Sequence, residues 1–410
     1  MKIAFYIHHS NINAGGIYIY SKSVLNLISD AYNIDTVIVF TTAEVVRMLK
    51  KFASHPKISF QIVNHNSWIN KFRLALSYFF LDFYTIYNLD VKKFKKLNWI
   101  RKFSEVINPY YFKLKKTKVS LLHVPIQYSP IYLTTVSIIT TMHDLQELHY
   151  PENFNSQERL HRSINNRKSL LYSAHIIVSY SHVKKDIIKY FEIDKDKISV
   201  CPPRFNENWF TTKKETDWQS LEKKYSISKK YLLYPAATWS HKNHIRLLEA
   251  VRIVNERIPD IKLICTGNKT DYFSVIEKKI YELKLEKFVK FLGIVPEEDL
   301  IGLYKNTSLV VIPTLYEAGS GPLYEAMRYE VPVICANTTS LPETIADKRF
   351  IFNPDDEVSL SNLIVEMISN KELFQENLIN SRNRMNELSK IDYFKNFWKV
   401  YEKLISSKSI

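Results

Sequence analysis

Residues 309–337, LVVIPTLYEAGSGPLYEAMRYEVPVICAN, constrain the fold more than any other stretch of the chain. An apolar run from Leu309 to Ile312 reads as a buried strand and leads into a loop holding two of the chain's seven glycines, Gly319 and Gly321. An amphipathic segment, Leu323 to Tyr329, and a second apolar run, Val331 to Ala336, follow. Strand, loop, helix, strand is the βαβ unit of a parallel sheet. Pro322 falls in the first helical turn, where its missing N–H costs nothing. Free amides at a helix start, beside small residues, make a seat for an anion such as a phosphate. Two acids, Glu317 and Glu325, bracket that seat.

The same alternation runs through the whole chain. Strands are expected at Lys2 to Ile7, Thr36 to Phe40, Ile58 to Val63, Ser120 to Val124, Ser137 to Met142, Ile176 to Ser179 and Ile198 to Cys201. Cys201-Pro202-Pro203 and the polar stretch after it read as an interdomain linker over 206–228. The pattern then restarts with strands at Tyr231 to Tyr234, Lys262 to Thr266, Val289 to Phe291, Leu309 to Ile312, Val331 to Ala336 and Phe350 to Phe352. With 410 residues, two domains are the default. The expected organisation is an α/β first domain over 1–205 with an insertion at about 66–118, and a second over 229–390. A C-terminal helix within 391–410 is expected to pack back on the first. In such sheets ligands sit beyond the carboxyl ends of the strands. Cys201, Cys265 and Cys335 lie far apart in predicted strands or at their ends, as small core residues of a reducing compartment do. The N-terminal MKIAFYIHHS reads as a strand rather than a signal peptide.

Two places in the second half could carry chemistry. Glu325, about one turn into its helix, could accept hydrogen bonds from a ribose diol, and Glu317 on the loop could hold a sugar hydroxyl; the bland alternative is a pair of solvated carboxylates. In LLYPAATWSHKNHIRLLEA, residues 232–250, Lys242 sits on a strand-to-helix loop, well placed to neutralise a diphosphate. A lone loop lysine is more often solvated.

The bracket of two glutamates eight apart, with the HKNH loop upstream, resembles the retaining GT-B glycosyltransferases of family 4, which include bacterial mannosyl-, glucosyl- and N-acetylhexosaminyltransferases. TMHDLQELHYPE (141–152), IIVSYSHVKKDIIKYF (176–191), FLGIVPEEDLIGLYKNTSLVVIPTLYEA (291–318) and VICANTTSLPE (333–343) resemble further segments of that family. The likeness covers most of 120–345 and the glycine loop near the N-terminus, but not 66–118. It implies two Rossmann-like domains facing across a cleft. It also implies that Lys242, with Asn243 beside it, binds the diphosphate of a UDP- or GDP-linked sugar, and Glu325 the ribose. Glu317 and the amides of Ala318, Gly319, Ser320 and Gly321 would hold the hexose and, with the helix start at Pro322 and Leu323, the phosphate. His143 would lie against the donor sugar near the reacting carbon, and Gly15 and Gly16 would let the first domain approach the phosphates. No cofactor and no metal are implied, the nucleotide sugar being a substrate. A literal D-x-D at Asp194 and Asp196 reads as a solvated turn. Two positions depart from the family: Ala236 stands where many members carry an arginine, and EAGSGP where many read EGFGLP. His241, His244 or Arg246 could supply the missing cation, or the lysine could act alone.

The net charge of +15 is concentrated. Residues 68–118 carry twelve Lys and Arg against three Asp and Glu, together with fourteen aromatic residues. Asp82 interrupts the apolar run there, which is far short of the ~20 residues of a membrane span. Two helices are expected, at about 68–88 and 91–106, either docking on anionic lipid to meet a lipid-linked acceptor or forming an insertion with a basic solvated face. The function this sequence points to is transfer of a hexose, mannose-like, to a glycan or lipid-linked glycan in cell-surface polysaccharide or lipopolysaccharide synthesis. The protein is expected in the cytoplasm, with the inner face of the membrane as its docking surface if 68–118 bind lipid. A GT-B epimerase or hydrolase is the rival within enzymes, and a basic nucleic-acid-binding protein the rival outside them, although no nucleic-acid module is recognised.

Overall fold

The computed structural model describes residues 1–8, 15–64, 67–90, 98–133, 135–203 and 214–406. It divides into two compact units, residues 1–206 with 392–410, and residues 207–391.

The first unit is built on a seven-stranded parallel sheet. Its strands are β1 (Lys2–Tyr6), β2 (Thr36–Thr41), β3 (Ile58–Ile62), β4 (Leu121–Val124), β5 (Ser137–Met142), β6 (His175–Val178) and β7 (Ile198–Val200), in the order β3-β2-β1-β4-β5-β6-β7. β4 and β6 are buried along their whole length, as parallel strands covered on both faces must be. The final helix, Tyr393–Ser406, belongs to this unit. Tyr393, Phe397, Val400 and Tyr401 repeat at helical spacing and are buried. The Tyr401 hydroxyl lies 2.6 Å from Nδ1 of His123 on β4, and burial pushes that imidazole down to about 3, so it is neutral.

The second unit holds β8 (Tyr231–Pro235), β9 (Lys262–Thr266), β10 (Val289–Phe291), β11 (Leu309–Ile312), β12 (Val333–Ala336) and β13 (Ile351–Phe352), ordered β10-β9-β8-β11-β12-β13 and parallel throughout. Strand order reverses between β8 and β11, as it does between β1 and β4 in the first sheet. These are the switch points of two Rossmann-like domains, beyond whose carboxyl ends ligands bind.

Two segments differ from the sequence expectation. The stretch read as a linker contains the helix Trp218–Tyr225, capped by Asp217, with Leu221 fully buried and Thr216 and Lys224 bonded to Asp299 of the second unit. One leucine in a polar run suffices to dock a two-turn helix, and its signal was masked by the surrounding charge. Residues 206–213 of that expected linker lie outside the described residues. The basic segment forms helices Trp68–Asp90 and Asn98–Ile107, and a third, Tyr111–Thr117, that the periodicity did not announce. Part of the second expected helix, 91–97, lies outside the described residues. The three cysteines are free and buried.

Candidate active site

At the switch point of the second sheet, the loop after β8 and the loop after β11 meet. Lys242 Nζ donates to Glu317 Oε2 at 2.6 Å, with both side chains mostly buried. Each partner is held by its main chain. The Tyr234 hydroxyl donates to the Lys242 carbonyl (2.9 Å), and the Glu317 N–H donates to Thr339 Oγ1 (2.9 Å). Ser340 Oγ donates to the Glu317 carbonyl at 2.9 Å. The Leu315 N–H and Thr314 hydroxyl both donate to the His241 carbonyl (2.8 and 3.1 Å), so the two loops are one hydrogen-bonded body. Thr339, a β-branched residue at φ 48°, carries local backbone strain beside this seat.

Asn243, expected to touch a donor, donates its amide nitrogen to the carbonyls of Pro313 (3.0 Å) and Pro354 (2.9 Å). It sits in the left-handed region, φ 59°, between a single turn and the helix His244–Arg257. Its side chain is therefore a strut between loops.

Gly319 adopts φ 146°, and the buried Ser320 caps the helix Gly321–Arg328, its Oγ accepting from Leu323 N–H at 3.4 Å. The N–H groups of Ala318, Gly319, Ser320 and Gly321 have no acceptor among the described residues. Four unspent amides at a helix start are free to meet an anion, which is what the expected seat requires. Pro322 occupies the first turn and Leu323 is buried beneath it. Glu325 lies on the next turn and accepts a 2.6 Å bond from the Tyr304 hydroxyl. Burial raises its carboxyl to about 7, and the Tyr304 bond opposes that rise. The residue nevertheless keeps part of its surface open, and a Cβ on Gly321 would touch its Oε1 at 3.5 Å.

The residues proposed to replace the missing arginine divide clearly. Arg246 is held by Glu249 (2.9 Å) and Glu357 (2.6 Å). His244 is buried between the rings of Tyr234 and Phe291, its pKa pushed down to about 3 by burial and the adjacent Lys242 charge, so it is neutral. His241 remains on the loop with Lys242.

Sequence reasoning missed Tyr304, Thr339, Ser340 and Gly267. Gly267 follows β9 at φ 116°, and a Cβ there would lie 2.7 Å from the main chain of Ala236. It lets the β8 loop pass close to its neighbour. Its place at a strand's carboxyl end, in a chain with seven glycines, was the available signal. Tyr304, Thr339 and Ser340 lie in the segments 291–318 and 333–343 that resemble the family, but no local pattern gave them a place at the site.

In the first unit, His143 follows β5. Its Nε2 lies 3.0 Å from the Pro125 carbonyl, which can only accept, so Nε2 carries the proton. The Tyr20 ring meets it edge-on at 4.8 Å. Arg162 braces the following residues through Asp144 and Glu147. Gly15 and Gly16 open the helix Gly15–Ser29 after β1, and space beside Gly16 is open. Asp194 caps a turn, accepting from Asp196 N–H at 2.9 Å.

Two parallel-sheet Rossmann-like domains are the fold this chain shares with GT-B glycosyltransferase structures. Residues 217–390 match the family described as Glycosyl transferases group 1, and the chain carrying that domain is a glycosyltransferase. Among curated proteins it is similar to O-antigen chain mannosyltransferase B of Escherichia coli, 28% identical over 62% of this chain and 67% of that one. It is also similar to O-antigen chain mannosyltransferase RfbU of Salmonella typhimurium, 28% identical over 55% of this chain and 59% of that one. The chain thus spans between about three fifths and two thirds of the length of these two relatives. The fold is shared along nearly the whole length with solved structures. Anabaena Alr3699/HepE, in complex with UDP and glucose, gives a TM-score of 0.64 at 17% identity, over 99% of this chain and all of that one. The lipopolysaccharide outer core galactosyltransferase WaaB gives 0.62 at 16% identity, over the full length of both.

Proposed function

We propose that this glycosyltransferase moves a hexose, with mannose the leading candidate, from a nucleotide sugar to a glycan or lipid-linked glycan during cell-surface polysaccharide synthesis, with retention at the anomeric carbon. The observation that carries it is the convergence of one lysine, two glutamates and four unspent amides at the switch point of the second sheet. The names of the mannosyltransferase relatives support the sugar and the pathway class, and the UDP in a structural neighbour's title supports the donor class.

In this reading Lys242 and the amides of Ala318 to Gly321 hold the diphosphate, Glu325 accepts from the ribose diol, and Glu317 orders the hexose hydroxyls. Overall, the bond from the anomeric carbon to the diphosphate oxygen is replaced, on the same face of the sugar, by one to the acceptor hydroxyl oxygen, whose proton passes to the departing diphosphate. Negative charge develops on the departing diphosphate, and the positioned ammonium and amides stabilise it. These groups meet the charge that a divalent ion would otherwise meet, so the reaction is read as needing neither metal nor cofactor. Roles for His143, Gly15 and Gly16 toward the donor rest on the family resemblance. The hydrolase, epimerase and nucleic-acid readings draw no support from the comparisons.

Thermal-shift screening against UDP, GDP and their hexose conjugates, followed by product analysis with and without acceptor, tests this. Stabilisation by one nucleoside diphosphate and acceptor-dependent sugar transfer are expected. Hydrolysis or epimerisation with no need for an acceptor would overturn it.

A further inference from the structure

The helix Trp68–Asp90 has two unlike faces. One packs into the first unit through Ser77, Leu81, Tyr84 and Thr85, all buried. Asp82, on the flank of the helix, pairs with the buried Lys168 at 2.7 Å, so the charge that interrupts the apolar run in sequence is neutralised within the unit. Arg73 is also engaged within the unit, donating to the Ile107 carbonyl at 2.8 Å. What remains outside is a stripe of Trp68, Phe72, Phe79, Phe83, Ile86 and Tyr87, all exposed, Trp68 by 76% and Phe79 by 62%. At 1.5 Å per residue it runs about 28 Å along the axis.

A second stripe continues it. On the helix Asn98–Ile107, Trp99, Phe103 and Val106 are exposed at spacings of four and three. Phe103 meets Phe80 of the longer helix edge-on at 5.0 Å, and Phe80 meets Phe79 at 5.5 Å. The two stripes therefore form one apolar surface. Lys71 and Lys102 are exposed beside it, and Lys115, Lys116 and Lys118 are exposed on and after the helix Tyr111–Thr117. Isolated exposed aromatics are ordinary, but a contiguous apolar face with a cationic surround marks an interaction surface. No helix among the described residues is long and apolar enough to cross a membrane.

We propose that this face docks on the surface of an anionic lipid bilayer, the aromatic stripe lying in the headgroup and acyl boundary and the lysines on the acidic headgroups. Charge selects the occupant. A second copy of a chain with net charge +15 would bring the same lysines against these, whereas an acidic bilayer neutralises them. Trp and Tyr are also the side chains that favour such an interface. The inference does not depend on the transfer reaction, and its test uses no nucleotide sugar, so the two stand or fall separately.

The experiment is sedimentation of the full chain with phosphatidylglycerol-containing vesicles and with neutral phosphatidylcholine vesicles. Binding to the anionic vesicles is expected to be at least tenfold tighter and to weaken as salt rises. Phe72→Ser/Phe79→Ser/Ile86→Ser should weaken it at least tenfold, and Lys71→Glu/Lys102→Glu several-fold, each with the melting temperature unchanged because these side chains are exposed. Brominated lipid should quench tryptophan fluorescence, and Trp68→Phe/Trp99→Phe should remove most of that quenching. Equal binding to both vesicle types, pelleting unaffected by the serine variant, or a dimer that the serine variant dissociates would each overturn the proposal.

Discussion

Lys242 Nζ and Glu317 Oε2 stand 2.6 Å apart, a pair that closes the switch point of the second sheet from its two sides. One residue comes from the loop after β8 and the other from the loop after β11, 75 positions away in sequence. The carboxylate holds the lysine's charge in place, and in the proposed role a diphosphate competes for it.

Lys242→Ala should therefore lower kcat/KM by at least a hundredfold, the scale of losing a positioned group of about 3 kcal/mol, with circular dichroism unchanged. Glu317→Gln should cost roughly tenfold. Because the two touch, the double variant should lose less than the product of the single losses, a coupling on the order of 1 kcal/mol. Steady-state kinetics of the four proteins measure it, and strictly independent effects would separate the two roles.

In the proposed ribose-binding role, Glu325 would tie nucleotide affinity to pH. Its carboxyl is raised to about 7 from an ordinary 4.5, and the ionised form is the one that accepts from a diol. Affinity for the nucleoside diphosphate should rise with pH through about 7 and flatten above, and Glu325→Gln should abolish that dependence. The stability sign runs the other way. A raised carboxyl contributes stability below its ordinary value that is lost as pH rises through the folded one. Glu325→Gln should thus melt higher than wild type at pH 8 and lose the advantage near pH 4.5. Tyr304→Phe removes a bond that holds the carboxyl down and should move the affinity midpoint upward.

Neither His244 nor Arg246 is expected to replace the arginine absent at Ala236. His244→Phe should keep turnover within about threefold and not lower the melting temperature, since a buried imidazole between two rings is exchanged for an apolar ring. Arg246→Ala should also keep turnover within about threefold, because its guanidinium is spent on Glu249 and Glu357. A loss matching that of Lys242→Ala would make either one the compensating cation.

Much of this was legible before any coordinates. Short β-branched runs separated by amphipathic segments gave away both parallel sheets, since a strand covered on both faces has to be apolar throughout. The positions of Lys242, Glu317 and Glu325 followed from their loops. Their partners did not, because Tyr304 and Thr339 reach the site through tertiary packing that no local pattern encodes. Asn243 illustrates the limit: its neighbourhood was read correctly as a loop, but its side chain braces Pro313 and Pro354. The helix Trp218–Tyr225 was hidden for a related reason, a single buried leucine in a charged run.

Gly267→Ala should be severe for a residue outside the anion seat. The added Cβ would lie 2.7 Å from the Ala236 main chain, at a φ of 116° that alanine rarely adopts. The loop bearing Lys242 must move, so stability should fall by more than about 1 kcal/mol, with a weakened nucleotide affinity beside it. Chemical denaturation and nucleotide titration check both, and intact affinity would show that the loop tolerates the shift.

The central claim is that the switch point of the second sheet seats the nucleoside diphosphate of a sugar donor. Isothermal titration of UDP and GDP into the wild-type chain, Lys242→Ala and Glu325→Ala tests it most directly. The account predicts micromolar binding of one nucleotide by the wild type and at least tenfold weaker binding by each variant, all three remaining folded. Failure of both nucleotides to bind the wild type, or equal affinity in all three proteins, would contradict it.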